Sequence, residues 1–149
     1  MEKAKYTAEQ IAQWFINRGA FDAKQDNGEY LSNLKLQKLL YYAQGVYLVV
    51  KNKPLFNDKI VAWGHGPVVT SVYHKYKNSM AIDTEEDVNI DGDTVQLLEE
   101  VYKTFGQYSA WRLRDMTHEE EPWQKTKQSA EIPQALIKRY FETRWVANV

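Results

Sequence analysis

The sequence predicts a mainly α-helical protein: a single compact domain of about six helices around a central apolar helix, with at most a small β element of short strands. The chain has 149 residues, which is enough for one substantial hydrophobic core. Its apolar fraction of 44% and charged fraction of 26% are typical of a globular protein. Apolar residues recur at helical spacing in most long segments, and no repeat or Gly/Ser linker divides residues 1–149 into separate domains.

The first helix is predicted to begin after Thr7. Thr7 and Gln10 have the spacing of a capping box, in which each side chain binds the backbone N–H of the other residue. The residues that follow at helical spacing are Ile11, Trp14, Phe15 and Arg18. Because glycine commonly follows the last turn of a helix, Gly19 is the predicted stop.

Residues 34–50 carry the strongest helix signal. One apolar stripe consists of Leu36, Leu39, Leu40, Ala43 and Tyr47, and a second apolar face consists of Tyr42, Val46 and Val49. A helix that is apolar on most sides lies in the middle of a domain, so we expect the other helices to pack on this one. Lys35 and Lys38 are expected to keep one edge of its first turns polar.

The middle of the chain predicts a short β segment at residues 59–63, followed by a sharp change of direction. Gly64 and Gly66 permit backbone angles that other residues resist. Since proline suits the first position of a helix, Trp63 and Pro67 are expected to set a strand-to-helix turn. The buried stripe of the new helix is predicted to contain Val69, Val72, Tyr73 and Tyr76.

Residues 80–91 are predicted to form a loop with at most one short strand, at 88–90. Asp93 and Gln96 have the spacing of a second capping pair, which predicts the start of the next helix. Leucine and aromatic residues then recur at helical spacing, and Gly106 is the predicted end of that helix.

Two further helices are predicted near the C-terminal end of the chain. Ser109 is expected to cap a short helix that ends at Met116, and Pro133 is expected to open the last helix. The residues of the last helix that are predicted to face the core are Ile137, Tyr140, Phe141 and Trp145.

Composition argues against several classes of protein. The chain has no cysteine, which excludes disulfides and thiolate metal sites and fits a reducing cytoplasm. Its net charge of −1 produces no overall field that would attract nucleic acid. Residues 1–10 lack the apolar stretch of a signal peptide, and the longest apolar run, 39–50, is too short to span a bilayer. We therefore expect a soluble, cytoplasmic protein with no membrane partner.

Side chains suited to catalysis or metal binding are few. A metal site would have to be drawn from His65, His118, Glu119 and Glu120, and no H-E-x-x-H pattern is present. Ser71 and His74 lie three residues apart, but nothing else indicates a nucleophile with its base. General acid–base catalysis by Glu119 and Glu121 would need the mutual pKa increase of clustered carboxylates, yet their turn is expected to be exposed, where water screens such an effect. We expect no catalytic residue, no metal and no cofactor.

Three sequence blocks are specific when taken together. They are K-L-Q-K-L-L-Y at 35–41, A-W-x-x-G-P-V at 62–68, and S-A-W-x-L-x-x-x-T-H-x-x-x-P-W at 109–123. In this order and spacing they resemble the Panacea antitoxin domain, also described as the SocA-like or phage-associated GepA-type domain, over about residues 7–145. The motif residues, expected to define the fold, are Lys35, Leu36, Lys38, Leu39, Tyr41, Trp63, Gly66, Pro67, Val68, Trp111, Leu113, Thr117, His118 and Trp123.

The resemblance implies a non-enzymatic antitoxin of a bacterial or prophage toxin–antitoxin system. Such a protein would neutralise its cognate toxin, a protein encoded by the neighbouring gene, by binding it directly. Because the motif residues are expected to be structural, partner recognition is expected on variable charged surfaces. The candidate partner-binding residues are Asp83, Glu85, Glu86, Asp87 and Glu99 in an acidic span, and Lys138, Arg139 and Arg144 in the last helix.

Two alternatives remain open from the sequence. A phage or mobile-element regulator would bind nucleic acid, and its binding would weaken steeply with salt. However, the most basic helical stretch, residues 110–117, contains only two arginines, so nucleic acid is not the expected partner. A small metal-dependent hydrolase is the third reading. The sequence leaves the oligomeric state and the identity of the toxin undetermined.

Overall fold

In the computed structural model, residues 3–25 and 29–146 are described, and they form helices around one central helix together with a two-stranded sheet. In chain order the elements are α1 (Ala8–Ala23), α2 (Asn33–Lys51), β1 (Ile60–Trp63), β2 (Gly66–Val69), α3 (Thr70–Tyr73), α4 (Gly92–Phe105), α5 (Ala110–His118), α6 (Glu121–Gln124), α7 (Gln134–Phe141) and a π-helical turn (Glu142–Val146). The predicted mainly helical fold is confirmed. Two of the seven α-helices in these residues, α3 and α6, are single turns: α3 is much shorter than the helix predicted after Pro67, and α6 was not predicted.

The central helix α2 is one residue longer at each end than the prediction. The Ser32 side chain accepts a hydrogen bond from the Lys35 backbone N–H (3.2 Å), which caps the first turn. Asn52 adopts a left-handed conformation (φ 56°) and ends the helix. Helices α1, α4, α5 and α7 and strand β2 all pack against α2, so its nearly continuous burial reflects neighbours on every side.

Helix α1 has the predicted capping box between Thr7 and Gln10. The predicted stop at Gly19 is wrong, because α1 continues to Ala23. Gly19 is buried against Leu31, and a Cβ at Gly19 would lie 2.8 Å from the Leu31 Cγ. The glycine therefore permits a close approach between α1 and the segment before α2 rather than ending the helix.

The two strands form an antiparallel hairpin in which Ile60 faces Val69 and Trp63 faces Gly66. Pro67 lies inside β2, so its predicted position at the start of a helix is wrong, and α3 begins three residues later. Strand β2 is anchored to the central helix, since the Val69 N–H donates to the buried Gln37 Oε1 (2.9 Å). The other edge of β1 bonds to residues 129–132, which leaves the small sheet covered on that side.

Residues 83–91 run along α1 as an extended segment, and the predicted strand at 88–90 is wrong. Side chains of α1 hold the segment: Gln13 donates to the Thr84 carbonyl (2.9 Å) and Asn17 to the Glu86 carbonyl (2.7 Å). Because these bonds come from side chains, the segment needs no partner strand. Its last residue, Asp91, caps α4 by accepting from the Thr94 N–H (3.2 Å).

The prediction that Asp93 and Gln96 cap α4 is therefore wrong by two residues, whereas Gly106 ends α4 as predicted. Helix α5 has the predicted Ser109 cap and extends to His118, two residues beyond the prediction. Pro133 precedes α7 as predicted. The side chain of Trp145 lies outside the described residues.

Helix α7 is held on the core mainly by Phe141. Its ring packs edge-on against Tyr41 (centroids 5.6 Å apart) and Tyr42 (5.9 Å). The ring also covers Gly45, where a Cβ would lie 2.4 Å from a ring carbon. Because Gly45 has no side chain, the Phe141 ring of α7 can pack directly against α2 at this point. No helix in the described part of the chain is long and apolar enough to cross a membrane.

Candidate functional site

The three sequence blocks meet at one buried point, which we call the motif junction: Lys38, Gly66, Pro67 and Thr117. The Lys38 side chain runs from α2 under the hairpin, and its Nζ donates to the Pro67 carbonyl (3.0 Å). Gly66 has φ 109°, and a Cβ there would lie 2.7 Å from the Thr117 Oγ1 and 2.8 Å from the Lys38 Cε. Residues as far apart in the sequence as Gly66 and Thr117 therefore lie side by side here.

The expectation that Lys38 keeps an edge of α2 polar is wrong, because Lys38 is 0% exposed. Burial lowers the pKa of the Lys38 ammonium to about 7, and the nearby Arg114 cation adds to this effect. Lys35 is half-buried, and its Nζ donates to the Gly106 carbonyl at the end of α4 (2.7 Å). Both lysine ammonium groups thus donate hydrogen bonds to backbone carbonyls of neighbouring elements.

A second set of contacts fastens the segment after α5 to the hairpin. The Trp123 Nε1 donates to the Trp63 carbonyl (2.7 Å). The His118 ring stacks on the Trp123 ring, with centroids 4.0 Å apart, and forms a hydrogen bond with the Gly64 backbone. Burial lowers the pKa of His118, and the Arg114 cation lowers it further. The His118 Nε2 atom is buried without a hydrogen-bond partner.

We expect Trp123→Phe to lower the free energy of unfolding by about 1–2 kcal/mol, because it leaves the Trp63 carbonyl without this donor while keeping an aromatic ring beside His118. Urea unfolding followed by circular dichroism measures the change. Trp14→Phe is the matched control, since Trp14 is half-buried and its indole N–H donates to no acceptor among the described residues. Equal losses in the two variants would contradict the expectation.

All three histidines of the chain pack against tryptophans on the outside of this region. The ring centroids of His65 and Trp111 are 5.9 Å apart, and those of His74 and Trp63 are 6.4 Å apart. We call this surface the aromatic–histidine face, and its members are Trp63, His65, His74, Trp111, His118 and Trp123. Trp111 is 59% exposed, and the Arg114 guanidinium lies 5.4 Å from its ring centroid. One motif tryptophan therefore faces the solvent instead of the core.

Sequence reasoning missed Glu120. The turn was expected to be exposed, but Glu120 is only 8% exposed and accepts hydrogen bonds from Tyr41 Oη (2.8 Å) and Tyr42 Oη (2.7 Å). Burial raises the pKa of Glu120 to about 7, although the two tyrosine hydroxyls and Arg144 act in the opposite direction. Leu113, Thr117 and Glu120 have the spacing of one helix face, which is the signal that would have placed Glu120 inside.

Most of the side chains considered for metal binding and for nucleophilic catalysis make other contacts in the part of the chain that the structure describes. Within residues 3–25 and 29–146, no group of three or more His, Asp or Glu side chains is arranged to hold a metal ion. The Ser71 hydroxyl donates to Asp58 (2.6 Å) rather than to His74. An open cleft of about 380 Å³ lies between α1 and α4, and three of its charged residues are paired there, Arg18 with Asp22 and Glu99.

The acidic candidate residues lie along α1. Glu85 pairs with Lys24, and Glu99 pairs with the Arg18 Nε (2.9 Å). The backbone of Glu86 bonds to Asn17, while the remaining two candidates, Asp83 and Asp87, are exposed. Three of the five acidic candidates, Glu85, Glu86 and Glu99, therefore already bind residues of this chain.

The basic candidate residues lie on and just after α7, on a different element. The Lys138 Nζ donates to the Asn52 Oδ1 (2.6 Å) at the end of α2. Arg139 is exposed, and the Arg144 guanidinium lies 5.4 Å from the Tyr140 ring centroid. The structure does not unite the acidic and basic candidates into one surface.

The fold is a helical domain. Residues of the three sequence blocks form its buried motif junction, and their tryptophans lie outside that junction. A sequence model of the family described as antitoxin SocA-like, Panacea domain, matches residues 36–124, which include all three blocks except Lys35. The chain therefore belongs to the antitoxin SocA-like, Panacea domain family, which confirms the resemblance drawn from the sequence blocks.

Antitoxin SocA of Caulobacter vibrioides (strain NA1000 / CB15N) is 38% identical to the chain over 109 residues. The alignment covers 62% of this chain and 58% of that relative, so the chain matches little more than half of the relative's length. No solved structure matches the chain.

Proposed function

We propose that this protein is an antitoxin that neutralises a cognate protein toxin, encoded by the neighbouring gene, by binding to it directly. The observation that carries the proposal is membership in the antitoxin SocA-like, Panacea domain family, with the family match spanning the motif junction. A relative that is 38% identical is itself named an antitoxin, which supports the same role.

The physical character of the molecule supports a binding function rather than a catalytic one. Stable protein–protein interfaces bury on the order of 1,200–2,000 Å² and depend on a few aromatic or arginine side chains. The chain presents such side chains on a scaffold braced by buried hydrogen bonds, as with Lys38 to Pro67 and Trp123 to Trp63. A rigid scaffold of this kind loses little conformational entropy on binding. The antitoxin acts by occupying a surface that the toxin needs.

Co-expression tests the proposal. The protein encoded by the adjacent gene is expressed in a bacterial host alone and together with this chain. We expect growth arrest by the neighbour alone, restored growth with both proteins, and co-purification of the two as a stable complex. A neighbour that is not toxic, or a toxic neighbour that neither co-purifies with the chain nor is countered by it, would refute the proposal.

A further inference from the structure

We propose that residues 83–87 form an unpaired strand edge, to which an extended, basic segment of the toxin adds through backbone hydrogen bonds. This inference rests on the proposed function and adds to it the mode of binding and the chemistry of the partner segment. It assigns to the acidic span a role that its backbone and its charge perform together.

The segment after Ile82 has the backbone of a β-strand without a partner strand. Residues 83–91 contain no turn or bend. The side-chain amide of Asn17 binds both backbone groups of Glu86: its Oδ1 accepts from the Glu86 N–H (3.3 Å), and its Nδ2 donates to the Glu86 carbonyl (2.7 Å). A neighbouring strand makes the same pair of bonds to one residue of an antiparallel ladder. On one side of the segment, α1 therefore takes the place of a partner strand.

The other side of the segment is open. The Thr84 carbonyl and both backbone groups of Glu86 face α1. Because the backbone groups of successive strand residues point in opposite directions, those of Asp83, Glu85 and Asp87 face away from α1, and we call them the open edge. These three residues are exposed, and their backbone groups have no hydrogen-bond partner in the part of the chain that the structure describes. An unpaired edge of this kind is a template for an extended segment of another protein.

The charge around the open edge indicates the chemistry of the partner. Residues 83–87 read D-T-E-E-D, and residues 78–102 contain no Lys or Arg. Two lysines reach this surface from other elements, where Lys24 pairs with Glu85 and Lys75 pairs with Glu9. The carboxylates without an ion pair among the described residues are those of Asp83, Glu86 and Asp87. Five carboxylates against two lysines leave a net charge of about −3 on this surface.

The other cations on and before α1 are already matched by carboxylates outside residues 83–87. Arg18 pairs with Asp22 (2.5 Å) and with Glu99 (2.9 Å). Lys5, which precedes α1, pairs with Asp91 (3.6 Å) at the far end of the extended segment. These cations therefore do not cancel the negative charge at the open edge.

A shallow cleft beside the open edge carries the same charge. Its volume is about 170 Å³, and it lies between the start of α1 and residues 86–88. Its ionisable lining residues are three acids and one base: Glu9, Glu86, Asp87 and Lys75. In strand addition the main-chain bonds provide affinity, and recesses beside the edge select side chains of the added strand. This cleft is therefore suited to a Lys or Arg side chain of the partner segment.

A basic toxin segment fits the open edge better than a second copy of this chain or a nucleic acid does. Pairing of two D-T-E-E-D segments would place carboxylates opposite carboxylates, which destabilises a strand pair. The phosphates of a nucleic acid are repelled by the same carboxylates. A Lys or Arg opposite an acidic residue instead stabilises the pair, and opposite net charges accelerate the encounter.

Proline at the open edge tests the backbone pairing. Glu85→Pro and Glu85→Ala both remove the carboxylate that binds Lys24, but only proline also removes the outward N–H. We expect Glu85→Pro to weaken binding to the protein encoded by the adjacent gene at least about tenfold more than Glu85→Ala does, measured by isothermal titration calorimetry with purified proteins. Equal affinities of the two variants would overturn the inference.

Amide hydrogen exchange measures the pairing without a substitution. In the free chain the Glu86 N–H is bonded to Asn17, whereas the N–H groups of Glu85 and Asp87 are open to water. In the complex with the protein encoded by the adjacent gene, we expect exchange at Glu85 and Asp87 to slow at least about tenfold. Unchanged exchange at both residues would show that no strand is added here.

Charge reversal at Glu86 tests the chemistry of the partner. The Glu86 side chain is exposed and lines the cleft, while its backbone keeps the bonds to Asn17. We expect Glu86→Lys to weaken binding at least about tenfold. Glu119→Lys makes the same change of charge at an exposed residue after α5, and we expect it to stay within about 3-fold of the wild type. Equal losses in the two variants, or tighter binding by Glu86→Lys, would overturn the inference.

These experiments separate the inference from the proposed function. If the wild-type chain neither binds nor counters the neighbouring protein, the proposed function fails and the inference fails with it. If the wild type binds and the Glu85 and Glu86 variants bind as tightly, only the open edge is wrong. Thermal unfolding transitions like that of the wild type confirm that each variant is folded. A dimer of this chain that Glu85→Pro dissociates, with toxin binding unchanged, assigns the edge to a second copy and overturns the inference.

Discussion

Replacing Gly66 with alanine is expected to lower the free energy of unfolding by about 3–5 kcal/mol, a large part of the stability of a protein this size. Two effects combine. Alanine resists the backbone conformation at Gly66 (φ 109°), which costs about 1–3 kcal/mol. The new Cβ would also lie 2.7 Å from the Thr117 Oγ1 and 2.8 Å from the Lys38 Cε, and overpacking of this kind costs about 1–3 kcal/mol.

The neighbouring atoms have little freedom to yield. The Thr117 hydroxyl donates to the Arg114 carbonyl (2.8 Å), and the Lys38 ammonium is held by the Pro67 carbonyl (3.0 Å). Moving either side chain breaks a buried hydrogen bond. The sequence blocks on α2, the hairpin and α5 therefore depend on one another through the missing side chain of Gly66.

Chemical denaturation of Gly66→Ala beside Gly64→Ala measures the effect. Gly64 lies in the same turn, does not have a positive φ, and a Cβ there meets no atom within 4 Å. We expect Gly64→Ala to stay within about 0.5 kcal/mol of the wild type. A comparable loss in both variants would mean that flexibility of the turn, rather than the packing at Gly66, controls stability.

Replacing Glu120 with glutamine is expected to stabilise the protein increasingly as the pH rises. Burial raises the pKa of Glu120 from 4.5 to about 7, so the folded state holds this proton more tightly than the unfolded state does. Between these two pH values the wild type loses stability as the pH rises, since the carboxylate must ionise inside the protein. The loss approaches about 3 kcal/mol above pH 7. Glutamine has no charge to bury, keeps an oxygen that accepts from one tyrosine, and presents an NH2 group that donates to the hydroxyl oxygen of the other.

Urea unfolding at pH 5 and pH 8 measures this difference. We expect the stability of Glu120→Gln relative to the wild type to rise by about 2–3 kcal/mol between the two conditions. Lys38, whose pKa falls to about 7, makes stability rise with pH between about 7 and 10.5, but it does so in both proteins and cancels in the comparison. Glu119→Gln removes an exposed charge one residue away and is expected to show no such pH dependence. A constant difference between Glu120→Gln and the wild type would show that Glu120 is not buried in solution.

The elements that could be predicted are those whose signal is local. The apolar repeat at 34–50 predicted the central helix because burial on all sides requires an apolar surface on all sides. The Thr7 and Ser109 caps were predicted because a cap depends on a side chain three residues from the N–H it binds. Gly19 and Pro67 were misread because their roles depend on distant contacts, with Leu31 and with strand β1 respectively.

The burial of Lys38 and Glu120 and the exposure of Trp111 likewise depend on distant contacts and could not be predicted from the sequence. Lysine and glutamate are usually exposed and tryptophan is usually covered, so the sequence favoured the reverse of what the structure contains. Lys38 and Glu120 are buried because the Pro67 carbonyl and two tyrosine hydroxyls provide hydrogen bonds there. Trp111 remains exposed because the opposite face of α5 supplies the core, through Leu113 and Thr117.

By itself, the sequence determined the helical class, the central helix and the three blocks that mark the family, because these depend on residue spacing along the chain. Only the tertiary structure decided that the blocks converge on Gly66 and that each of the three histidines contacts a tryptophan of the blocks. The physical reason is that burial and contact between residues far apart in the chain arise from packing, which no local spacing encodes.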